Sequence, residues 1–246
     1  MKRLRSQLLA SILVNSIYEM KNYPVVLINT VLAPLSFLVL IVFVTNGSLL
    51  GVGIIGGLIM TMFSSGTSLQ SDLSHLKNDF KLQDMVVSSP TSAATYVSGM
   101  AISELVYSSP AIVILSILFY LYVPATLAQV LGILGVLAFM FLMSVSLGFA
   151  LATVSSDIVQ SFAFTRLLTT LFSTLAPVYY PITLIPLPFR YAAYLSPTTY
   201  AAQLAQTLGG FQQVPVDNLA LDWAVLLCLT AFFLWIGITK SRWRER

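Results

Sequence analysis

The chain has 246 residues, of which 57% are hydrophobic and 9% charged, with a mean hydropathy of +0.89 and a formal net charge of +3. A water-facing surface takes about a quarter charged residues, so this composition excludes a soluble domain and points to an integral membrane protein. A single cysteine, Cys228, and a single histidine, His75, exclude an internal disulfide and any metal centre built from several such ligands.

The first stretch, residues 1–24, places Leu8, Leu9, Ile12, Leu13, Ile17 and Met20 at helical spacing. Asn15, Ser16, Glu19 and Lys21 interrupt it, and no small-residue cleavage site follows, so it does not read as a signal peptide. It predicts an amphipathic helix lying in the membrane interface; an early extension of the first span is the alternative. Six runs are then long enough for a bilayer core, which needs roughly 20 apolar residues: Val25–Thr45, Leu49–Leu69, Val97–Leu121, Leu127–Thr153, Phe164–Ile185 and Leu219–Thr239. Asn46–Gly47 makes a tight hairpin of the first two, and Val123–Thr126, with Pro124, does the same for the third and fourth. No sustained alternation of barrel type occurs. The glycine-rich Gly51–Gly57 lies inside a span with no lysine after it, a spacing suited to close helix packing.

Lysine and arginine set the expected orientation. With six spans, eleven of the 12 basic residues fall on one side and only Arg190 on the other, which puts both termini in the cytoplasm of a multi-pass cell-membrane protein. The one large loop on that side is Ser71–Tyr96. Leu73, Leu76 and Phe80 give it a short helix with an apolar edge, ended by Pro90. It reads either as a solvated connector or as a docking element for a soluble partner.

Within the third run, Glu104 lies about 10 Å beyond Val97 at 1.5 Å per residue, where a carboxylate is costly unless paired or wet. Arg166 is its candidate partner, with Asp157 a second contact for that arginine. A structural ion pair is one reading of Glu104; a proton or cation relay is the other. The interval 181–207 holds Pro181, Pro186, Pro188 and Pro197 among Tyr191, Tyr194 and Tyr200, with Tyr179 and Tyr180 just before it. It is too apolar for a solvated loop and too broken for a span. It predicts a re-entrant helical pair on the outer side, or else a surface hairpin anchored by its rings. No G-x-x-x-x-G-K-[ST] occurs, so the chain carries no phosphate cradle of its own.

Two stretches carry a family resemblance. The segment FKLQDMVVSSPTSAATYVSGMAISEL resembles the connector between the second and third spans of type-2 ABC exporter permeases through Met85, Val86, Ser89, Pro90 and Gly99, with Met100 where a basic residue is usual. Tyr180, Pro181, Ile185, Pro186, Ser196, Pro197 and Tyr200 match the proline-bearing turn after the fifth span, with Gln203 and Gln206 near the position of a commonly seen arginine. The resemblance implies an all-α permease of six transmembrane helices forming a single domain over residues 1–246. It implies an interfacial helix, a cytoplasmic coupling helix over 71–96 and an outer re-entrant pair. Leu76, Phe80, Met85, Val86, Ser89 and Pro90 would couple to an ABC ATPase subunit; Tyr180, Pro181, Pro186, Pro197 and Tyr200 would form an outer gate. The implied partners are that ATPase, which would bind ATP and Mg, a second permease chain and membrane lipids, with no nucleic acid. The chain would be no enzyme itself and would move an amphiphilic substrate outward. A proton-coupled carrier or membrane enzyme centred on Glu104 is the alternative.

Overall fold

The computed structural model describes residues 2–78, 93–155, 157–174, 176–213 and 215–240, which among themselves contain only helices and turns. The opening helix α1 (Lys2–Ile12) runs through a π-helical turn (Leu13–Ile17) into α2 (Tyr18–Asn22). It bears out a helical N-terminal segment with Leu9, Val14 and Tyr18 exposed on one side and Ser16 fully buried on the other. Tyr23 leaves helical geometry, and Pro24 starts α3 (Pro24–Thr45) at the position where its missing N–H has no intrahelical role. Asn46 and Gly47 both take positive φ, 50° and 80°. That left-handed pair closes the expected hairpin and starts α4 (Leu50–Asn78).

α4 is the axis of the molecule. Of its apolar window 89% is buried, against 17% for α3 and 11% for the last helix, so the others wrap it and turn their outer faces to lipid. It packs against α3, α5 (Ala93–Tyr107), α6 (Ser109–Tyr122), α7 (Leu127–Val154), α8 (Ile158–Thr174) and α10 (Pro197–Leu208). Its closest seam, with α7, depends on glycine. A Cβ on Gly66 would stand 2.4 Å from Ser144 Cβ, and one on Gly148 would stand 2.7 Å from the Gly66 carbonyl oxygen. Without those atoms the two backbones approach closely and gain dispersion contacts along their length. Phe63, Met140, Met143 and Leu204 fill the space around the seam.

Among the described residues four helices are long and apolar enough to cross a membrane, α3, α4, α7 and the final α11 (Val216–Lys240), and the pair α5–α6, bent by 55°, makes a fifth if the two are one span. The third predicted run is therefore a broken helix. Pro110, at the second position of α6, has no N–H for the preceding turn, so the helix restarts at Ser108–Ser109. The predicted fifth run, Phe164–Ile185, is not one helix. α8 starts earlier, at Ile158, and ends at Thr174; Pro177 and Pro181 then hold residues 176–181 in bends. The run was apolar throughout, but prolines remove the donors a continuous helix needs. The predicted loop also changes its start: Ser71–Asn78 continues α4 without a break, making one 29-residue helix. Thr126 and Gln129 form a reciprocal capping box at the head of α7, Gln129 N to Thr126 Oγ1 at 3.4 Å and Thr126 N to Gln129 Oε1 at 2.8 Å. A 3-10 turn (Ile182–Leu184) and α9 (Phe189–Ala193) complete the elements.

Candidate functional site

Three groups of residues carry the expected chemistry. The coupling residues come first. Phe80, Met85, Val86, Ser89 and Pro90 lie outside the described residues, as does the side chain of Leu76. What is described is their foundation. α4 delivers the chain to residue 78 as a helix, and α5 receives it at Ala93. α5 in turn lies on α1. Ser16 Oγ donates to the Ser103 carbonyl at 2.6 Å, the Ser11 and Ser103 hydroxyls meet at 3.4 Å, and Asn15 Nδ2 reaches Met100 Sδ at 3.1 Å. Gly99 makes room for this contact, since a Cβ there would press on Ser11 at 3.1 Å.

The second group surrounds Glu104, which is nine-tenths buried, with 8% exposure. Its carboxylate is bonded to the Ser68 hydroxyl on α4, and the Asp72 carboxyl, one helical turn further along α4, is close enough to act on it electrostatically. The expected pairing with Arg166 does not form. Arg166 sits on the exposed face of α8, because Ser161 and Thr165 turn the opposite face to α4 through Gln70. Asp157 does local work instead: its Oδ1 accepts from Gln160 N at 2.7 Å and caps the start of α8. Asp72 was placed in the loop by the sequence reading and so was missed as Glu104's neighbour; the absence of any helix breaker between Leu69 and Asn78 was the signal.

Glu104 stands on the wall of an open-sided cavity of about 310 Å³ lined by α3, α4, the α5–α6 break and α8. Asn29, Thr61, Ser65, Ser108, Thr169 and Ser173 supply its polar lining. Phe37 and Tyr179 close one side as a stacked pair, centroids 4.9 Å apart and planes within 11°. The hydroxyls are largely committed to backbone: Thr61 donates to the Gly57 carbonyl at 2.7 Å, Ser65 to the Thr61 carbonyl at 2.9 Å and Ser173 to the Thr170 carbonyl at 3.1 Å.

The third group is the proline-broken segment. Tyr180 and Pro181 are half-buried at the bend that follows α8, and Pro186 lies in the exposed turn before α9. Arg190 holds that turn closed, its guanidinium donating to the carbonyls of Thr183 and Ile185, each at 3.1 Å. Pro197 opens α10, where residues from Pro197 to Gln206 are almost all buried against α4, α7 and α11. Tyr200 returns its hydroxyl to the Tyr194 carbonyl at 2.8 Å, and Gln206 Nε2 binds the Pro177 and Val178 carbonyls at 3.4 and 3.3 Å. The five predicted residues thus belong to one assembly, with Gln206 as the tie. Burial pushes the Tyr179 and Tyr180 phenols up, so both remain neutral hydrogen-bonding groups. Outward from them, Leu184, Leu187, Phe189, Tyr191 and Leu195 are exposed.

A family model for ABC-2 type transporters matches residues 7–208. The chain belongs to the ABC-2 type transporter family. Its match runs from α1 to the last residue of α10 and so takes in the Glu104 cavity and the whole proline-broken assembly. The chain is accordingly a multi-pass transmembrane transport protein, the permease component of an ABC transporter. No curated protein matches the chain closely enough to count as a relative.

One further buried acid escaped the sequence reading. Asp222, in the first turns of α11, is 2% exposed, and its Oδ2 has no hydrogen-bond partner. A lone acid inside the last apolar run was the available signal.

Proposed function

We propose that this permease is the membrane half of an ATP-driven exporter that moves an amphiphilic molecule outward, energised by a separate ABC ATPase subunit that binds ATP and Mg, with two permease chains per complex. The observation that carries the reading is the match to the ABC-2 type transporter family over residues 7–208. The geometry supports it in two places. α4 runs unbroken from the molecule's centre to residue 78, so a force applied to the 71–96 segment acts directly on the central helix. α10, buried on three helices at the far end, fits a closure over the outer end of a path, dipping from outside and turning back. Six crossings, with α8 as the sixth and both termini in the cytoplasm of the cell membrane, agree with the ten-to-one placement of the basic residues other than Arg166, which falls midway along α8.

The test is recovery of the tagged chain with a stoichiometric ATPase, followed by uptake of a fluorescent amphiphile into inverted vesicles. ATP-dependent uptake that stops with a hydrolysis-dead ATPase supports the reading. Uptake driven by an imposed proton gradient without ATP would instead favour a carrier centred on Glu104, a reading that the proximity of the Glu104 and Asp72 carboxyls keeps worth testing.

A further inference from the structure

We infer that the recess between α6 and α7 holds one acyl chain of a membrane phospholipid, running from the Val123–Thr126 turn inward to the side of the central helix α4. This site is separate from the Glu104 cavity and independent of whichever molecule the permease moves.

The recess originates in the way the chain turns. Antiparallel helices joined by a short loop form a hairpin. Here α6 and α7 both pack on α4 but make no extended contact with each other. Pro124 has no N–H to give the Tyr120 carbonyl, so α6 stops, and Val123 leaves it in extended geometry at φ −113° and ψ 105°. The gap between the two helices is a recess of about 490 Å³. Leu58 of α4, Val123, Ile133 and Leu137 are buried and make its floor; Ser116, Tyr120 and Leu134 are exposed and make its rim.

Three properties select the occupant. The first is chemistry. Every side chain lining the recess is apolar except Ser116 and Tyr120, both on the rim. A trapped water needs roughly two to four polar partners, and the floor has no polar side chain to offer; an empty gap would forfeit the dispersion contacts of its lining. The second is depth. Leu137 lies roughly 15 Å along α7 from Leu127 at 1.5 Å per residue, half of a hydrocarbon core about 30 Å thick. The recess therefore spans the depth of the acyl chains of one leaflet. The third is continuity. Ile117, Leu121 and Leu131, beside the rim in sequence, are exposed on the lipid-facing surface, so the recess opens onto the bilayer itself. A second copy of the chain fits less well. Tyr120, 86% exposed, keeps a flat helix face away from the floor, and an inserted backbone would bring polar groups with nothing to pair with.

The experiment uses the full chain in nanodiscs of dioleoylphosphatidylcholine that contain a trace of the same lipid with a diazirine at the end of one acyl chain. After irradiation, mass spectrometry of peptides locates the attached lipid. A chain confined to the outer surface labels exposed residues over buried ones. Leu227 is the reference, exposed on α11 one turn beyond Trp223, which meets Gly135 of α7. The expected result is labelling of buried Leu58 and Leu137 at least fivefold above Leu227. Ser116→Trp and Leu134→Trp, on the exposed rim where neither overpacks the core, should each cut the labelling of Leu58 and Leu137 at least fivefold and leave Leu227 unchanged. Labelling of Leu58 and Leu137 no greater than that of Leu227 in the wild type overturns the inference, as does strong labelling that both rim variants leave intact. A disulfide-linked dimer formed through Tyr120→Cys in a Cys228→Ser background would also overturn it, since a second copy would then cover the recess.

Discussion

Replacing Gly66 by alanine separates two opposed contributions. Helix propensity favours the change, since alanine is better than glycine in a helix interior by about 1 kcal/mol. The seam opposes it. The new Cβ would lie 2.4 Å from Ser144 Cβ and 2.7 Å from Val145 N, where unbonded heavy atoms settle at about 3.5–4.0 Å. Because the obstructing atoms belong to the opposing backbone or sit next to it, α4 and α7 must part by about 1 Å over several turns. Overpacking of this kind costs about 1–3 kcal/mol, and a seam between two backbones belongs at the upper end. The net expectation is a loss of about 2 kcal/mol for Gly66→Ala. Gly135, also inside α7, is the control: its nearest neighbour to a built Cβ is Trp223 Cη2 at 3.9 Å, ordinary contact. Gly135→Ala should be neutral or stabilising by up to about 1 kcal/mol. Reversible unfolding of the full chain by SDS in mixed micelles, followed by circular dichroism, reads both. A Gly66→Ala protein as stable as Gly135→Ala would refute the packing argument.

Thr126→Ala should lose about 1 kcal/mol in the same titration by removing the cap of α7; an unchanged midpoint would mean the box adds nothing in a membrane setting. Arg190→Ala frees the Thr183 and Ile185 carbonyls, so a cysteine placed at Leu184 in a Cys228→Ser background should react faster with an impermeant thiol reagent; an unchanged rate counts against the clamp. Phe80→Asp should leave insertion intact while uncoupling a co-purified ATPase from transport, and normal coupled transport would remove residues 71–96 from the proposed contact.

What was legible in the sequence was length and apolarity. Those suffice for α3, α4, α7 and α11, because a lipid-facing helix has few other ways to satisfy its backbone. The hairpins at Asn46–Gly47 and Val123–Thr126 were legible from turn chemistry. Direction within a run was not: Pro110 bends the third crossing by 55° while its neighbours stay apolar, and Pro177 ends the fifth run in the middle of a continuous hydropathy signal. The Glu104–Arg166 pairing failed for a related reason. Depth can be counted along one helix, but which face a side chain takes depends on what the helix leans on, and Gln70 turns Ser161 and Thr165 inward, leaving Arg166 outside. Tyr180, Pro181, Pro186, Pro197 and Tyr200 were legible as one group. Gln206, which ties α10 to the bend, stood in the sequence only as an amide near the position of a commonly seen arginine.

The π-helical turn at Leu13–Ile17 has its own consequence for how this N-terminal segment tolerates change. In a regular α-helix, positions five apart lie about 140° apart around the axis, so Ser11 and Ser16 could not both face Ser103. The wider turn brings them round together, and both meet it. The alignment resides in a count of residues. Val14, 63% exposed, accepts many replacements on this view. Its deletion follows the same rule, because it would leave Ser11 and Ser16 four apart, about 40° round a regular α-helix, and keep Glu19 and the entry to α3 in phase. A mutational survey of substitutions and single deletions would class Val14 as dispensable, whereas one that inserts a codon there would set the two serines six apart, about 120° round a regular helix, and lose one of the contacts.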